Sequence, residues 1–210
     1  MKETRITMRT PYDRKYIGQE YYWGKKPSKM CDMVIEIIRS DAEYRPKLLD
    51  LGCGEGRNAV YFAGFGFEVV GLDLSKSGLE KTEKLAEDTN VHVKTIQADI
   101  LTYNITEVYD IVFSTGTLHY LPPNGRLRHF QNYKEQTSAN GINVLSVFVE
   151  KPFIPKAPDA ETTAHPYRSG ELMSYYWDWE ILYSVEEIFD CLSGEIPHKH
   201  AINRIIARRR

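Results

Sequence analysis

The chain has 210 residues, 42% of them hydrophobic and 27% charged, which fits one soluble globular domain spanning 1–210 with a sizeable core. A formal net charge of -2 argues against a dedicated nucleic-acid binder, and no apolar run approaches the length of a membrane span. Cys31, Cys53 and Cys191 are too scattered for a disulfide framework or a metal-binding motif, so a reducing compartment, the cytoplasm, is expected and a metal site is not.

Residues 1–27 are polar and aromatic, with Tyr12, Tyr16, Tyr21, Tyr22 and Trp23 close together. Gly18 and Gly24 bracket most of that cluster, which reads as a lid over a site or as packing on the first helix. The first five residues, Met1 to Arg5, lack the apolar core of a signal peptide. Ser28 is placed to cap a helix with Met33, Val34, Ile37 and Ile38 on its apolar face. Residues 47–52 read as a buried strand, 57–65 as a helix and 68–73 as a second strand. Ser75 caps a helix that buries Leu79, Thr82 and Ala86. Strands follow at 91–96 and 109–114, and Pro122-Pro123-Asn124 opens a helix carrying Leu127, Phe130 and Tyr133. Gly141 to Val149 is a fifth strand. Strands alternating with helices predict an α/β fold with a mainly parallel, doubly wound sheet.

The last third differs. Four prolines within 150–168 predict a long loop of the kind found at active sites. Two β-rich stretches, 177–190 and 199–208, flank Ser193-Gly194-Glu195-Ile196-Pro197 and suggest a closing antiparallel hairpin. A capping box at Ser184-Val185-Glu186-Glu187 competes with the first of them as a helix start. Arg208-Arg209-Arg210 reads as a solvated tail.

The most informative segment is Leu48-Leu49-Asp50-Leu51-Gly52-Cys53-Gly54-Glu55-Gly56-Arg57-Asn58. A buried strand runs into three alternate glycines and then a helix, and Val69-Val70-Gly71-Leu72-Asp73 adds a second strand ending in an acid. That is the layout of a site for a ribose-bearing nucleotide cofactor. The dinucleotide fingerprint needs a glycine where Arg57 stands. A pyrophosphate also disfavours the nearby negative charges of Asp50 and Glu55. A cofactor with a cationic part fits better.

The chain here resembles the class I S-adenosylmethionine-dependent methyltransferases, whose first motif is similar to Leu49-Asp50-Leu51-Gly52-Cys53-Gly54-Glu55-Gly56. The resemblance implies a Rossmann-like methyltransferase sheet with helices on both faces. Arg57-Asn58-Ala59-Val60-Tyr61-Phe62-Ala63 and Gly170-Glu171-Leu172, with Tyr175-Tyr176 and Trp179-Glu180 beyond, look like the TehB-like tellurite-resistance members. Most of 16–209 is covered. The resemblance implies methyl transfer to a small acceptor, such as a chalcogen oxyanion (tellurite or selenite) or a thiol or thiopurine-like nucleophile. The long loop at 150–168 and Pro197-His198-Lys199-His200 depart from the family pattern.

In open α/β sheets ligands bind beyond the carboxyl ends of the strands. The first strand then contributes Gly52, Cys53 and Gly54, with Gly56, Arg57 and Asn58 following, and the second contributes Asp73 and Leu74. Asp73 is expected on the ribose hydroxyls, with helix capping as its alternative. Asp99 and Ile100 are expected at the adenine, with a turn role open for Asp99. Ser114, Thr115 and Gly116 end the fourth strand, and the resemblance implies that they contact the methionine end of the cofactor. His119 is either substrate-facing or structural, and Cys53 is a small residue under a tight turn rather than a nucleophile. Tyr22 and Trp23 are expected to face the sulfonium.

Lys151, Lys156, His165 and Arg168 lie on the loop, and His198 and His200 share one face of the hairpin strand. Anion binding by His198, His200 or Arg168 is the working expectation, because two histidines alone make a poor metal site. A small-molecule substrate, no nucleic acid, no membrane, and a monomer or homodimer are expected. An NAD-dependent oxidoreductase and a non-catalytic S-adenosylmethionine sensor are the competing readings. A thermal-shift comparison separates the first.

Overall fold

The computed structural model describes residues 11–38, 44–158, 161–192 and 196–210. Met1 to Arg5, Ser193, Gly194 and Glu195 lie outside them. Helices are α1 Pro11–Tyr16, α2 Lys29–Ile38, α3 Arg57–Gly64, α4 Lys76–Asp88, α5 Pro123–Glu135 and α6 Glu171–Ser174. Strands are β1 Lys47–Leu51, β2 Glu68–Asp73, β3 Val93–Gln97, β4 Tyr109–Thr115, β5 Thr137–Val149, β6 Glu180–Cys191 and β7 His198–Arg208. One sheet forms in the order β3-β2-β1-β4-β5-β7-β6. β1 to β5 run parallel, and β7 pairs antiparallel with both β5 and β6. The α/β class and the closing hairpin agree with the sequence. Among the described residues no helix is long and apolar enough to cross a membrane.

β1 is covered on both faces, so its side chains read as a nearly continuous apolar run. Leu48 packs with Phe62, Phe113, Val144 and Ile206 in one core layer. Leu49 and Leu51 pack with Val112, Phe130, Tyr133, Leu145 and Ile205 in the other. Burying each such side chain contributes about 1.5–3 kcal/mol. Strand order reverses between β1 and β4, and that crossover opens a crevice at their carboxyl ends.

Several boundaries differ from the expectations. Residues 91 and 92 precede β3, and β5 starts at Thr137, ahead of the left-handed Asn140. The capping box at Ser184 does not start a helix. The whole segment pairs with β7, Ser184 standing opposite Ile205. Leu127 is 60% exposed, and the buried face of α5 carries Arg126, His129, Phe130 and Tyr133. Those positions follow i, i+3, i+4, i+7, with a charged residue in a core slot. In α2 the buried set includes Met30, Cys31 and Ile35 beside Val34. The short helices α1 and α6 are additions to the sequence reading.

Candidate active site

The glycine loop is built by left-handed backbone. Gly52 has φ 76° and a Cβ there would lie 2.1 Å from Thr117 Oγ1. Gly54 has φ 57°, and its added Cβ would sit 3.0 Å from the Tyr16 hydroxyl. Both positions therefore exclude side chains on conformational and steric grounds. Gly56 caps α3 with φ 84° against Thr82. Gly52 N–H donates to Leu72 O (2.7 Å), and Gly54 N–H donates to Asp73 Oδ2 (2.9 Å). Asp73 Oδ1 accepts from Ser75 N–H at 2.8 Å. The Leu74 backbone also donates to this carboxylate, which lines the cavity beyond the strand ends. Ser75 itself caps α4, accepting from Gly78 N–H.

A cavity of about 560 Å³ lies beyond these strand ends. Gly52, Cys53, Gly54, Arg57 and Asn58 line one wall, with Asp73, Leu74, Asp99, Ile100, Thr115 and Gly116. Trp23 closes over it with Tyr12 and Tyr16. The opposite wall carries Tyr120, Ser146, Phe148, Thr163, Phe189, Ile202 and Arg204. These last residues come from the turn after β4, from β5, β6 and β7, and from the 150–168 segment, far apart in sequence. Trp23 Nε1–H donates to the Tyr16 hydroxyl at 3.2 Å, and Arg57 Nη1 donates to Trp23 O at 3.2 Å. Asn58 Nδ2 donates to Thr115 Oγ1 (3.2 Å), while its Oδ1 accepts from Ser28 N–H (2.9 Å). Asp99 caps its own turn, accepting from Leu101 N–H at 2.9 Å, and still faces the cavity.

Other expected residues lie outside this lining. Tyr22 stands edge-on to Trp23 and is 40% exposed. Ser114 is buried and donates to Leu51 O (2.8 Å). Glu55 is buried against Lys81, Oε1 to Nζ 2.7 Å, and accepts from Trp23 N–H. Its charge is thus compensated inside the protein, which corrects its reading as a partner for a cationic cofactor. Burial drives the Cys53 thiol well above its usual range, and its sulfur packs under Gly71. Arg168 is exposed, its N–H bonded to Glu171. Lys151 is held by Ser169 and Glu186, outside the lining. Arg204, paired with Glu187, is the cation of that wall. His119 is buried behind Tyr120 and Phe148. Desolvation lowers it to about 4, with His200 and Arg126 adding to the drop, so it is neutral at physiological pH. His198 and His200 sit at the start of β7, and His200 packs on Phe148 and Phe189 from outside the lining.

Asp50 lies beneath the loop, fully buried, and its Oδ2 has no hydrogen-bond partner among the described residues. Desolvation pushes its carboxyl up to about 7, with Asp73 adding to the rise and Arg57 opposing it. The folded state therefore keeps a proton that the unfolded chain releases near pH 3.9. Stability from this group is full below that pH and is lost as pH rises through about 7. Asp50→Asn is expected to remove the loss, so its stability advantage over the wild type, measured by urea unfolding without cofactor, grows between pH 5 and pH 8. Each unit of pKa difference is worth about 1.4 kcal/mol. An advantage unchanged across that interval would contradict the assignment.

Residues 15–204 match the family described as "Tellurite resistance protein TehB". A "Probable S-adenosyl-L-methionine-dependent methyltransferase TehB" of Haemophilus influenzae is 32% identical over 168 residues, covering 80% of this chain and 57% of that protein. A "Probable S-adenosylmethionine-dependent methyltransferase" of Saccharomyces cerevisiae is 24% identical over 163 residues, 76% of this chain and 55% of the relative. The chain thus spans little more than half the length of these curated relatives. The crystal structure of TehB from Haemophilus influenzae superposes with a TM-score of 0.77 at 25% identity, covering 95% of this chain and 66% of that one. Magnesium protoporphyrin IX methyltransferase of Synechocystis, solved with bound SAM, shares the fold with a TM-score of 0.63 at 16% identity, covering 86% and 78% of the two chains.

Proposed function

The chain belongs to the TehB family, and on that premise we propose that it transfers a methyl group from S-adenosylmethionine to a small-molecule nucleophile. The observation that carries the reading is the cavity of about 560 Å³ at the reversal of strand order, walled by the glycine loop and Asp73. Its volume suits a ligand of drug-like size. The residues fit the donor in kind. Asp73 has acceptor capacity for a ribose diol, and Asp99 stands where the next strand ends. The faces of Tyr12, Tyr16 and Trp23 suit a sulfonium. Burial, Asp73 and Glu55 keep the Tyr16 phenol far above its ordinary range, so it stays neutral.

When bound, S-adenosylmethionine supplies an electrophilic methyl carbon, whose bond to sulfur breaks as the acceptor's lone pair bonds to it. The chain's part is to align the acceptor and exclude water. A strong general base is not required for an acceptor that is already anionic. His119 is neutral and set behind the wall, and the Cys53 thiol is locked under the loop. Arg204 and the apolar Phe148, Phe189 and Ile202 favour a small, soft anion. Tellurite, selenite, a thiolate and a thiopurine are the acceptors proposed, with tellurite resistance in the cytoplasm as one setting.

Release of S-adenosylhomocysteine with tellurite, selenite, a small thiol and a thiopurine, run side by side, tests the proposal. Turnover above the acceptor-free blank is expected with at least one. Tight cofactor binding with no turnover on any of the four would favour a sensor instead.

A further inference from the structure

β6 and β7 bring together three side chains that lie seven or more residues apart or on alternate positions. Cys191 is directly opposite His198 in the register, and Phe189 is opposite His200. The Cys191 sulfur and one ring nitrogen from each histidine all lie within 4.8 Å of one another, and all three residues are half-buried. His198 Nε2 and His200 Nε2 are 2.9 Å apart, with their rings at 84°. His198 Nδ1 lies 2.7 Å from Ile196 O, and a carbonyl only accepts, so Nδ1 carries the proton. The lone pair of His198 is therefore on Nε2, aimed at the cluster. A carbonyl fixing the tautomer of a ligating histidine in this way is the usual outer-shell arrangement of metal sites.

We propose that Cys191, His198 and His200 form a three-ligand site for a thiophilic divalent cation, zinc by preference. The ligand set decides the ion. One thiolate and two imidazoles suit zinc, whereas calcium and magnesium need oxygen ligands. At a Zn–N length of about 2.0–2.1 Å, tetrahedral geometry sets the two nitrogens about 3.3 Å apart. The observed 2.9 Å needs an opening of only a few tenths of an ångström. On binding, the Cys191 thiol proton goes to solvent and the proton shared between the two Nε2 atoms leaves that position, so both nitrogens face the metal. Three protein ligands leave one coordination position for water or an exogenous ligand.

The site clasps the turn end of the hairpin, at the last pair before the chain connects β6 to β7. It also adjoins the cavity, because His200 rests on Phe148 (4.9 Å between ring centres) and on Phe189 (5.7 Å), both of which line it. Pairing across the hairpin, rather than spacing along the chain, creates the cluster. The proposal thus differs from the expectation, drawn from spacing along the chain, that no cysteine belongs to a metal-binding set.

The test uses tag-free, chelator-stripped full-length protein titrated with cobalt(II) and then zinc. A thiolate-to-cobalt charge-transfer band with tetrahedral visible bands is expected, saturating at one ion per chain and bleached by zinc. Cys31 and Cys53 are buried in the core, so the band reports on Cys191. Cys191→Ser is expected to abolish it, and His198→Ala and His200→Ala each to weaken zinc binding by more than about 100-fold, above the 10–100-fold typical of outer-shell changes. Zinc should raise the melting temperature of the wild type and leave that of Cys191→Ser unchanged. S-adenosylhomocysteine affinity of the variants serves as the check on folding, and its failure in the wild type would count against the methyl-transfer reading alone. Absence of the charge-transfer band in the wild type, or its persistence in Cys191→Ser, would overturn the site.

Discussion

Asp73→Ala is expected to weaken binding of S-adenosylmethionine and S-adenosylhomocysteine by at least about 100-fold, measured by calorimetric titration. The side chain does two things at once. Its oxygens accept from Gly54 and Ser75 N–H at 2.9 and 2.8 Å, which ties the glycine loop and the start of α4 to the end of β2. The same carboxylate lines the cavity. Hydrogen bonds to a charged group contribute about 1.5–3 kcal/mol each, so losing two to a ribose diol costs more than 3 kcal/mol. Alanine also leaves the Gly54 and Ser75 donors unsatisfied, which loosens the loop. Asp73→Asn separates the two effects. The amide keeps one acceptor oxygen but puts donors where a backbone N–H now points, so it is expected to fold with affinity between the other two. An alanine variant within threefold of the wild type would remove Asp73 from the ribose.

The second large effect is structural. Arg126→Leu is expected to lower the melting temperature by on the order of 10 °C, at about 2–4 °C per kcal/mol for a chain of this size. The Arg126 guanidinium is 1% exposed. Its Nε donates to Leu121 O (3.1 Å), its Nη1 pairs with Glu171 Oε1 (2.6 Å) and its Nη2 donates to His165 O. It also stacks 3.6 Å above the Tyr167 ring. Tyr167 in turn is bridged to β5, donating its N–H to Phe148 O at 2.8 Å. One buried cation thus fastens α5 to the end of the 150–168 segment and to α6. Breaking a fully buried pair from one side costs about 3–5 kcal/mol; with Glu171 half-buried the lower end applies, to which loss of the Leu121 and His165 hydrogen bonds and of the Tyr167 stacking adds. Glu171 is desolvated, yet the Arg168 N–H and Arg126 hold its carboxyl below the usual range. Arg126→Leu and Glu171→Gln should therefore be non-additive in a double-mutant cycle. A loss below 1 kcal/mol for Arg126→Leu would show that the anchor is dispensable.

Much of this architecture is legible in the residues. Leu48 to Leu51 and Tyr109 to Ser114 read as buried strands because a covered parallel sheet demands apolar side chains on both faces. The glycines at 52, 54 and 56 read as a ligand loop because the backbone there takes left-handed φ. The phase of α5 is not legible, since a core slot holds Arg126, and its stabilising partners lie 39–45 residues away. The far wall escapes for a related reason. Phe148, Phe189, Ile202 and Arg204 come together through the order β5-β7-β6, which no local pattern encodes. The pairing of Cys191 with His198 likewise exists only in the hairpin register. Cation placement along the loop misleads as well. Lys151 is basic in sequence but paired with Glu186, Arg168 is exposed outside the cavity lining, and Arg204 on β7, although paired with Glu187, lines the cavity.

The central claim is that the crevice beyond β1, β2 and β4 takes a sulfonium nucleoside rather than a dinucleotide. Calorimetric titration of the wild-type protein with S-adenosylhomocysteine and, separately, with NAD tests it most directly. The structure predicts one saturable site for S-adenosylhomocysteine, lost in Asp73→Ala, and no saturable heat with NAD. Saturable binding of NAD with none of S-adenosylhomocysteine would contradict it.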